Sequence, residues 1–330
     1  MGLVLVSGVN GFIGSHVAEK LLQEGHKVRG IVRKSSDLSL IEGLNIELVH
    51  GDITNRDSLK PAMENIEIVI HVAGLASDWD SYENFYDINV AGTKNMATCA
   101  EESNVKRFVH ISTTAISGFK NKRDITEEEP ITKSIFSYCE TKREAELWLN
   151  EFKAKHKMEV AIIRPGNVYG PKDHTFIEKY LEALEQGKIS FIDKGQHLTC
   201  PTYITNLVDG IILACFKPEA KGETFNITDG LEINWKIFTD KLAEQLGAKK
   251  VRLSVPFNLA YVLAFIMEII YLFLKIKKAP LLTRYRICNG GKDYHFSIEK
   301  ARKILGYNPD TNIDKSITDT VYWYKEKTTT

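Results

Sequence analysis

The chain has 330 residues, long enough to bury a sizeable core, with 43 basic and 43 acidic side chains that cancel. With no net charge and no basic tract, the electrostatic footprint of a nucleic-acid binder is missing, and a small-molecule role is expected. The five cysteines are scattered, with no Cys-x-x-Cys pair and no histidine at metal spacing, so reduced structural thiols and no metal site are expected.

The first element is an apolar strand, Leu3 to Val6, and it runs straight into Gly8-Val-Asn-Gly11-Phe12-Ile13-Gly14, which opens a periodic helix from Phe12 to Leu22. Glycines placed between a strand and a helix permit a tight turn, bring backbone amides near a pyrophosphate and let the helix pack on the sheet. The spacing departs by one position from Gly-x-Gly-x-x-Gly. No basic n-region or long apolar run precedes the strand, so no signal peptide is expected, and the protein is read as cytoplasmic.

Further β-branched runs follow at Lys27 to Val32, Ile46 to Val49, Glu67 to Val72, Arg107 to Ser112 and Glu159 to Ile163, separated by helical stretches. Apolar runs without clean alternation predict strands buried on both faces, hence an α/β fold with a doubly wound parallel Rossmann sheet. Residues 1–170 are expected to form the dinucleotide-binding core, with later segments near 195–230 returning to it. Residues 171–330 are expected to form mainly a smaller substrate-binding lobe. In that lobe Ile189 to Ile192 and Pro201 to Ile204 read as strands and Trp235 to Leu246 as a helix.

Val255 to Leu274 is almost wholly apolar and ends at Lys275, Lys277 and Lys278. A buried helix, or one lining an apolar pocket, is the first expectation, and peripheral attachment to a membrane is the second. A true span ranks last, because Glu268 near the centre would be costly in a bilayer.

Tyr138 and Lys142 stand four apart in the helical run Ser137 to Phe152, so they share a face. Carbonyl reduction needs a proton donor, and a phenol needs a nearby cation to ionise readily. Tyr138 with Lys142 meets both conditions. A hydroxyl at the end of the fifth strand would hold the substrate oxygen; Thr114 is the expected residue, with Thr113 and Ser112 behind it. After the second strand the chain reads Arg33-Lys34-Ser35-Ser36, with no acid until Asp37. Arg33 and Lys34 suit a ribose 2′-phosphate, so NADP(H) is preferred, with NAD(H) the alternative.

The glycine turn, Asp52 after the third strand, Ala73-Gly74 after the fourth, Asn89-Val-Ala-Gly-Thr93, Tyr138-x-x-x-Lys142 and Arg164 to Pro171 together resemble the extended short-chain dehydrogenase/reductases. The resemblance implies that Gly8, Gly11, Phe12, Ile13 and Gly14 line the pyrophosphate, and that Asp52 and Ile53 meet the adenine. It also implies that Ala73 and Gly74 pass beneath the cofactor, that Lys142 holds the nicotinamide ribose, and that Pro165, Asn167 and Val168 border the nicotinamide. A homodimer through the helices Asn84 to Ala100 and Ser137 to Phe152 is common in that family. Ala115 stands where the family's dehydratases carry an acid, which disfavours dehydration. The apolar stretch followed by Pro280-Leu-Leu-Thr283 is similar to the 3β-hydroxysteroid dehydrogenase-like branch, near the dihydroflavonol reductases. An oxidoreductase interconverting a secondary alcohol and a ketone on a hydrophobic, steroid-like, 3-oxo acid or flavonoid-like substrate is therefore expected. The alternatives are a nucleotide-sugar epimerase using Arg284, Arg286 and Lys292 for a diphosphate, and a non-catalytic NADPH-binding regulator.

Overall fold

A computed structural model describes residues 2–329. Its centre is a seven-stranded parallel sheet. The strands are β1 (Leu3–Ser7), β2 (Lys27–Val32), β3 (Ile46–His50), β4 (Ile68–His71), β5 (Arg107–Ile111), β6 (Glu159–Pro165) and β7 (Thr224–Ile227), in the spatial order 7-6-5-4-1-2-3. Six match runs visible in the sequence; β7 is a short polar-interrupted strand that joins β6 from beyond residue 200.

Alternation along each strand sends side chains to two cores. Val4, Val6, Ile70 and Val109 pack with Val17, Leu21 and Ile211 on one face. Leu5, Val69 and Phe108 pack with Met96 and Leu149 on the other. Burial on both sides explains why the strands read as unbroken apolar runs. Helices Phe12–Gln23 and Ile204–Phe216 therefore cover one face, and Gly92–Glu102 and Ser137–Lys153 the other.

The strand order reverses between β1 and β4, and the loops after these two strands border the crevice where an open α/β sheet binds its ligand. The chain after β4 forms a short helix, Tyr82–Phe85, continuing through a π turn at Tyr86–Ala91 into Gly92–Glu102. Such turns often mark functional segments.

Outside the central sheet the chain forms the helices Phe257–Phe273 and Arg284–Gly290 and two short parallel pairings, Phe191–Ile192 with Ser254–Val255 and Lys122–Ile125 with Tyr294–Phe296. One expectation is overturned here. Phe257–Phe273 is not a buried helix: only Ala260, Ala264 and Glu268 are buried, and most of its large apolar side chains face solvent. Hydropathy reports how apolar a segment is, not what covers it. Among the described residues no helix is long and apolar enough to cross a membrane.

Candidate active site

The glycine turn is fixed by close backbone approach. Gly8 has φ +69°, and a Cβ there would come 2.9 Å from the backbone nitrogen of Ala73. At Gly14 a Cβ would come 2.0 Å from the Gly8 carbonyl oxygen, so no side chain fits. Gly11 N donates to Gly8 O at 3.0 Å, and Phe12–Gln23 starts with no capping side chain and no acid in its first turn. The helix thus begins at the crevice without a capping side chain or an acid of its own, and its positive dipole end suits a phosphate.

Beneath the crevice runs a buried hydrogen-bond chain that sequence reading did not find. Thr93 Oγ1 donates to Asn89 O at 2.7 Å and so accepts from His71 Nε2 at 3.1 Å. His71 Nδ1 then accepts from Ser7 Oγ at 2.8 Å, and Ser7 Oγ accepts from Ala73 N at 3.2 Å. Burial, helped by the Lys142 charge, holds His71 at about 3, so it stays neutral and works as a fixed link. The Asn89 side chain accepts from Leu75 N at 2.8 Å and donates to Leu75 O and to Thr141 Oγ1. These bonds lock Ala73-Gly74 against the glycine turn. Only the β1 and β4 adjacency reveals them, because the partners lie far apart in sequence.

After β3, where the resemblance puts the adenine, Asp52 Oδ1 accepts from Thr54 N and Thr54 Oγ1, bonds that hold its carboxyl below the usual range. Asn95 Nδ2 donates to Ile53 O at 2.8 Å. Arg33 and Lys34 are exposed, and their side chains have no ion-pair partner among the described residues. The carboxylate of Asp37, the nearest acid along that loop, accepts from Ser39 N at 2.9 Å, while Asn10 Nδ2 binds the Asp37 carbonyl. Asp37 is thus spent on a turn.

Tyr138 and Lys142 lie on one helix face at the carboxyl end of β5. Lys142 is buried and donates to Ile111 O at 2.5 Å; burial lowers it to about 8, opposed by the charge of Glu146. Burial pushes Tyr138 up to about 12, with the Cys139 thiol adding to the rise and the nearby Thr113 hydroxyl reducing it. This differs from the expectation that Lys142 makes the phenol ionise readily: the ammonium turns to the Ile111 carbonyl, and desolvation dominates at the phenol. Tyr138 therefore keeps its proton at neutral pH.

The two threonines divide differently from the sequence expectation. Thr114 is fully buried; its hydroxyl donates to Pro165 O at 3.0 Å and accepts from Tyr294 at 2.6 Å. With its proton committed, Thr114 is a tie between the end of β5, β6 and the strand Tyr294–Phe296. Thr113, the second choice from sequence, lies near the Tyr138 phenol, and its oxygen accepts from Ala115 N at 3.2 Å.

Below the pair, Glu146 is fully buried and accepts from Ser112 Oγ at 2.7 Å and from the Arg164 guanidinium through Nε and Nη2. Asn167 and Asn289 exchange amide hydrogen bonds at 3.3 and 3.2 Å, which couples the loop after β6 to the helix Arg284–Gly290. Tyr285 of that helix stands edge-on to Tyr138 at 6.3 Å, and Phe119, Phe136 and Tyr294 extend the aromatic wall.

The parallel sheet, glycine cradle and Tyr/Lys pair define a nicotinamide-dependent enzyme of Rossmann type. Residues 4–228 match the model of the NAD dependent epimerase/dehydratase family, and the chain belongs to that family. It is 29% identical over 332 residues to a mouse sterol-4-alpha-carboxylate 3-dehydrogenase (decarboxylating), covering 96% of this chain and 89% of the relative. It is 30% identical over 340 residues to a Mycobacterium tuberculosis 3 beta-hydroxysteroid dehydrogenase/Delta 5-->4-isomerase, covering 98% and 90%. The crystal structure of gox2253 superposes with a TM-score of 0.85 at 27% identity, with 99% of each chain covered. The chain is thus an NAD(P)-dependent oxidoreductase acting on CH–OH groups.

Proposed function

We propose that the protein interconverts a secondary alcohol and a ketone on a hydrophobic substrate, with NADP(H) as its coenzyme. The observation that carries the substrate class is the wall of Phe119, Phe136, Tyr285 and Tyr294 beside Tyr138. Apolar pockets with a few polar groups select by buried area and orient by hydrogen bonds. Two of the relatives described above carry sterol or steroid substrates in their names, which agrees with this class.

The cradle fits a dinucleotide: Gly8 and Gly14 leave no room for side chains, and the helix that follows has neither a capping side chain nor an acid in its first turn. The bound nicotinamide supplies or takes up the hydride. Tyr138, kept protonated by burial, gives its proton to the substrate oxygen during reduction. Thr113, near the phenol, is the hydroxyl positioned to steady the substrate oxygen beside it. Lys142 places a cation on the same face, where it would hold the ribose and stabilise the phenolate left when Tyr138 has given up its proton. Glu146 opposes loss of the Lys142 proton.

For the threonines, Thr113→Val is expected to lower kcat/KM at least tenfold more than Thr114→Val, because the Thr114 hydroxyl is engaged by Pro165 O and Tyr294 while Thr113 lies near the phenol. Thr114→Val is expected to act mainly on thermal stability. Steady-state kinetics with melting curves for both variants checks this, and the reverse ranking would restore Thr114 as the orienting hydroxyl.

For the coenzyme, Arg33→Ser is expected to shift the NADPH/NADH ratio of kcat/KM by about 10- to 100-fold toward NADH, the size of one or two lost charge-assisted bonds. An unchanged ratio would remove Arg33 from the 2′-phosphate site.

The epimerase alternative is weakened by the cations it needs. Arg284 is paired with Glu268, Arg286 with Asp78, and the Lys292 ammonium sits 4.2 Å over the Phe257 ring. The deciding experiment follows NADPH absorbance with steroids, 3-oxo acids, flavonoid-like ketones and nucleotide sugars. Stoichiometric oxidation with an apolar ketone supports the proposal, and epimerisation without net coenzyme change overturns it.

A further inference from the structure

The helix Phe257–Phe273 meets the body of the protein through one narrow stripe. Ala260, Ala264 and Glu268 are spaced four apart and stack on a single face against the neighbouring helix. Around the rest of the cylinder, Leu259, Val262, Ile266 and Ile269 are exposed, as are Leu272 at 66% and Phe273 at 83%. A continuous apolar face of this extent marks a site of interaction.

Its charge pattern selects the occupant. Glu268, the helix's carboxylate, is turned inward: its oxygens accept from Arg284 N and Arg284 Nε, both at 2.6 Å. The outer face therefore carries no charge. Just beyond it Lys275, Lys277 and Lys278 are exposed, with no acidic partner among the described residues. Trp79 closes the same end, donating to Ile276 O at 3.3 Å with its ring edge-on to Tyr271. An apolar face bordered by lysines and an amphipathic indole matches the boundary of a bilayer, where acyl chains meet anionic headgroups. A second copy of this face would bring apolar surface but no free carboxylate to meet the lysines.

We propose that this face, with Lys275, Lys277 and Lys278, docks on an anionic lipid bilayer. The helix lies in the plane of the interface. Its 17 residues span about 26 Å, short of a hydrocarbon core of about 30 Å, and its inner stripe is held on protein.

Docking places the active-site wall beside the lipid. The helix packs on Arg284–Gly290, which presents Tyr285 to Tyr138 and Asn289 to Asn167. Asp78, on the loop that leaves Gly74, binds Thr283 at 2.6 Å and Arg286 at 2.9 Å. A hydrophobic alcohol or ketone dissolved in the bilayer thus reaches the aromatic wall by crossing one helix. This delivery role rests on the proposed function, whereas the docking itself does not.

The test is sedimentation of the full chain with vesicles of phosphatidylcholine, with and without phosphatidylglycerol, at low and high salt. Binding is expected only with the anionic lipid and is expected to weaken at least tenfold at high salt. Ile269→Glu with Phe273→Glu should abolish it, and Lys275→Glu, Lys277→Glu and Lys278→Glu together should weaken it at least tenfold. All five positions are exposed, so folding should survive, as circular dichroism would verify. Equal binding to both vesicle types, or none to either, overturns the proposal. So does a dimer in solution that the double glutamate variant splits. Turnover of a water-soluble ketone should be the same in these variants and the wild type, so loss of docking and failure of the proposed reaction are read separately.

Discussion

Tyr138→Phe is expected to lower kcat/KM for carbonyl reduction by about 10²- to 10⁴-fold, the usual contribution of a positioned general acid. The reasoning starts from protonation. Burial holds the phenol at about 12, so at neutral pH it carries the proton that a developing alkoxide needs. Phenylalanine keeps the ring against Phe85 and Tyr285 and removes the one group on that ring able to donate. NADPH affinity, measured by quenching of protein fluorescence, should therefore change little while turnover collapses. Retention of more than a tenth of the wild-type activity would show that another group delivers the proton.

Glu146→Ala is expected to destabilise the fold by about 3–5 kcal/mol, because it leaves the Arg164 guanidinium buried without its counter-ion. Arg164 is 4% exposed and Glu146 is fully enclosed, so water cannot replace the lost partner. For a chain of this length that corresponds to a drop of about 4–7 °C in Tm. Replacing both partners together, Glu146→Leu with Arg164→Met, should recover part of the loss, since the guanidinium is no longer stranded, while buried Lys142 still loses the charge that opposes its deprotonation. A single variant that melts with the wild type would mean that Arg164 finds relief elsewhere, for example at the Glu127 carbonyl it already touches at 3.3 Å.

The parallel sheet was legible because strands buried on both faces must be apolar and β-branched, and the glycine turn was legible because backbone approach there forbids side chains. Tyr138 and Lys142 followed from a spacing that any helix respects. The floor of the crevice was not legible: Ser7, His71, Thr93 and Asn89 come from separate elements, and their pairing depends on strand adjacency. Thr113 and Thr114 adjoin in sequence and differ only in which way each hydroxyl points. Tyr294, which engages Thr114 from 180 residues away, decides between them. For the Phe257–Phe273 helix, the two alanines and one glutamate at four-residue intervals were the only sign of its packing stripe.

The π turn at Tyr86–Ala91 sets a limit on how this chain can vary. A turn holding one extra residue offsets everything before it by about 100° relative to everything after. Through that offset Phe85 reaches to 6.4 Å from Tyr138 while Asn89 holds Leu75 N and Thr93 holds His71 at the floor of the crevice. Removal of a single residue from the turn would mend the helical ladder and swing Phe85 away from the phenol. The length of this segment is therefore fixed to the residue, and a deletion that made the helix more regular would dismantle the pocket it supports.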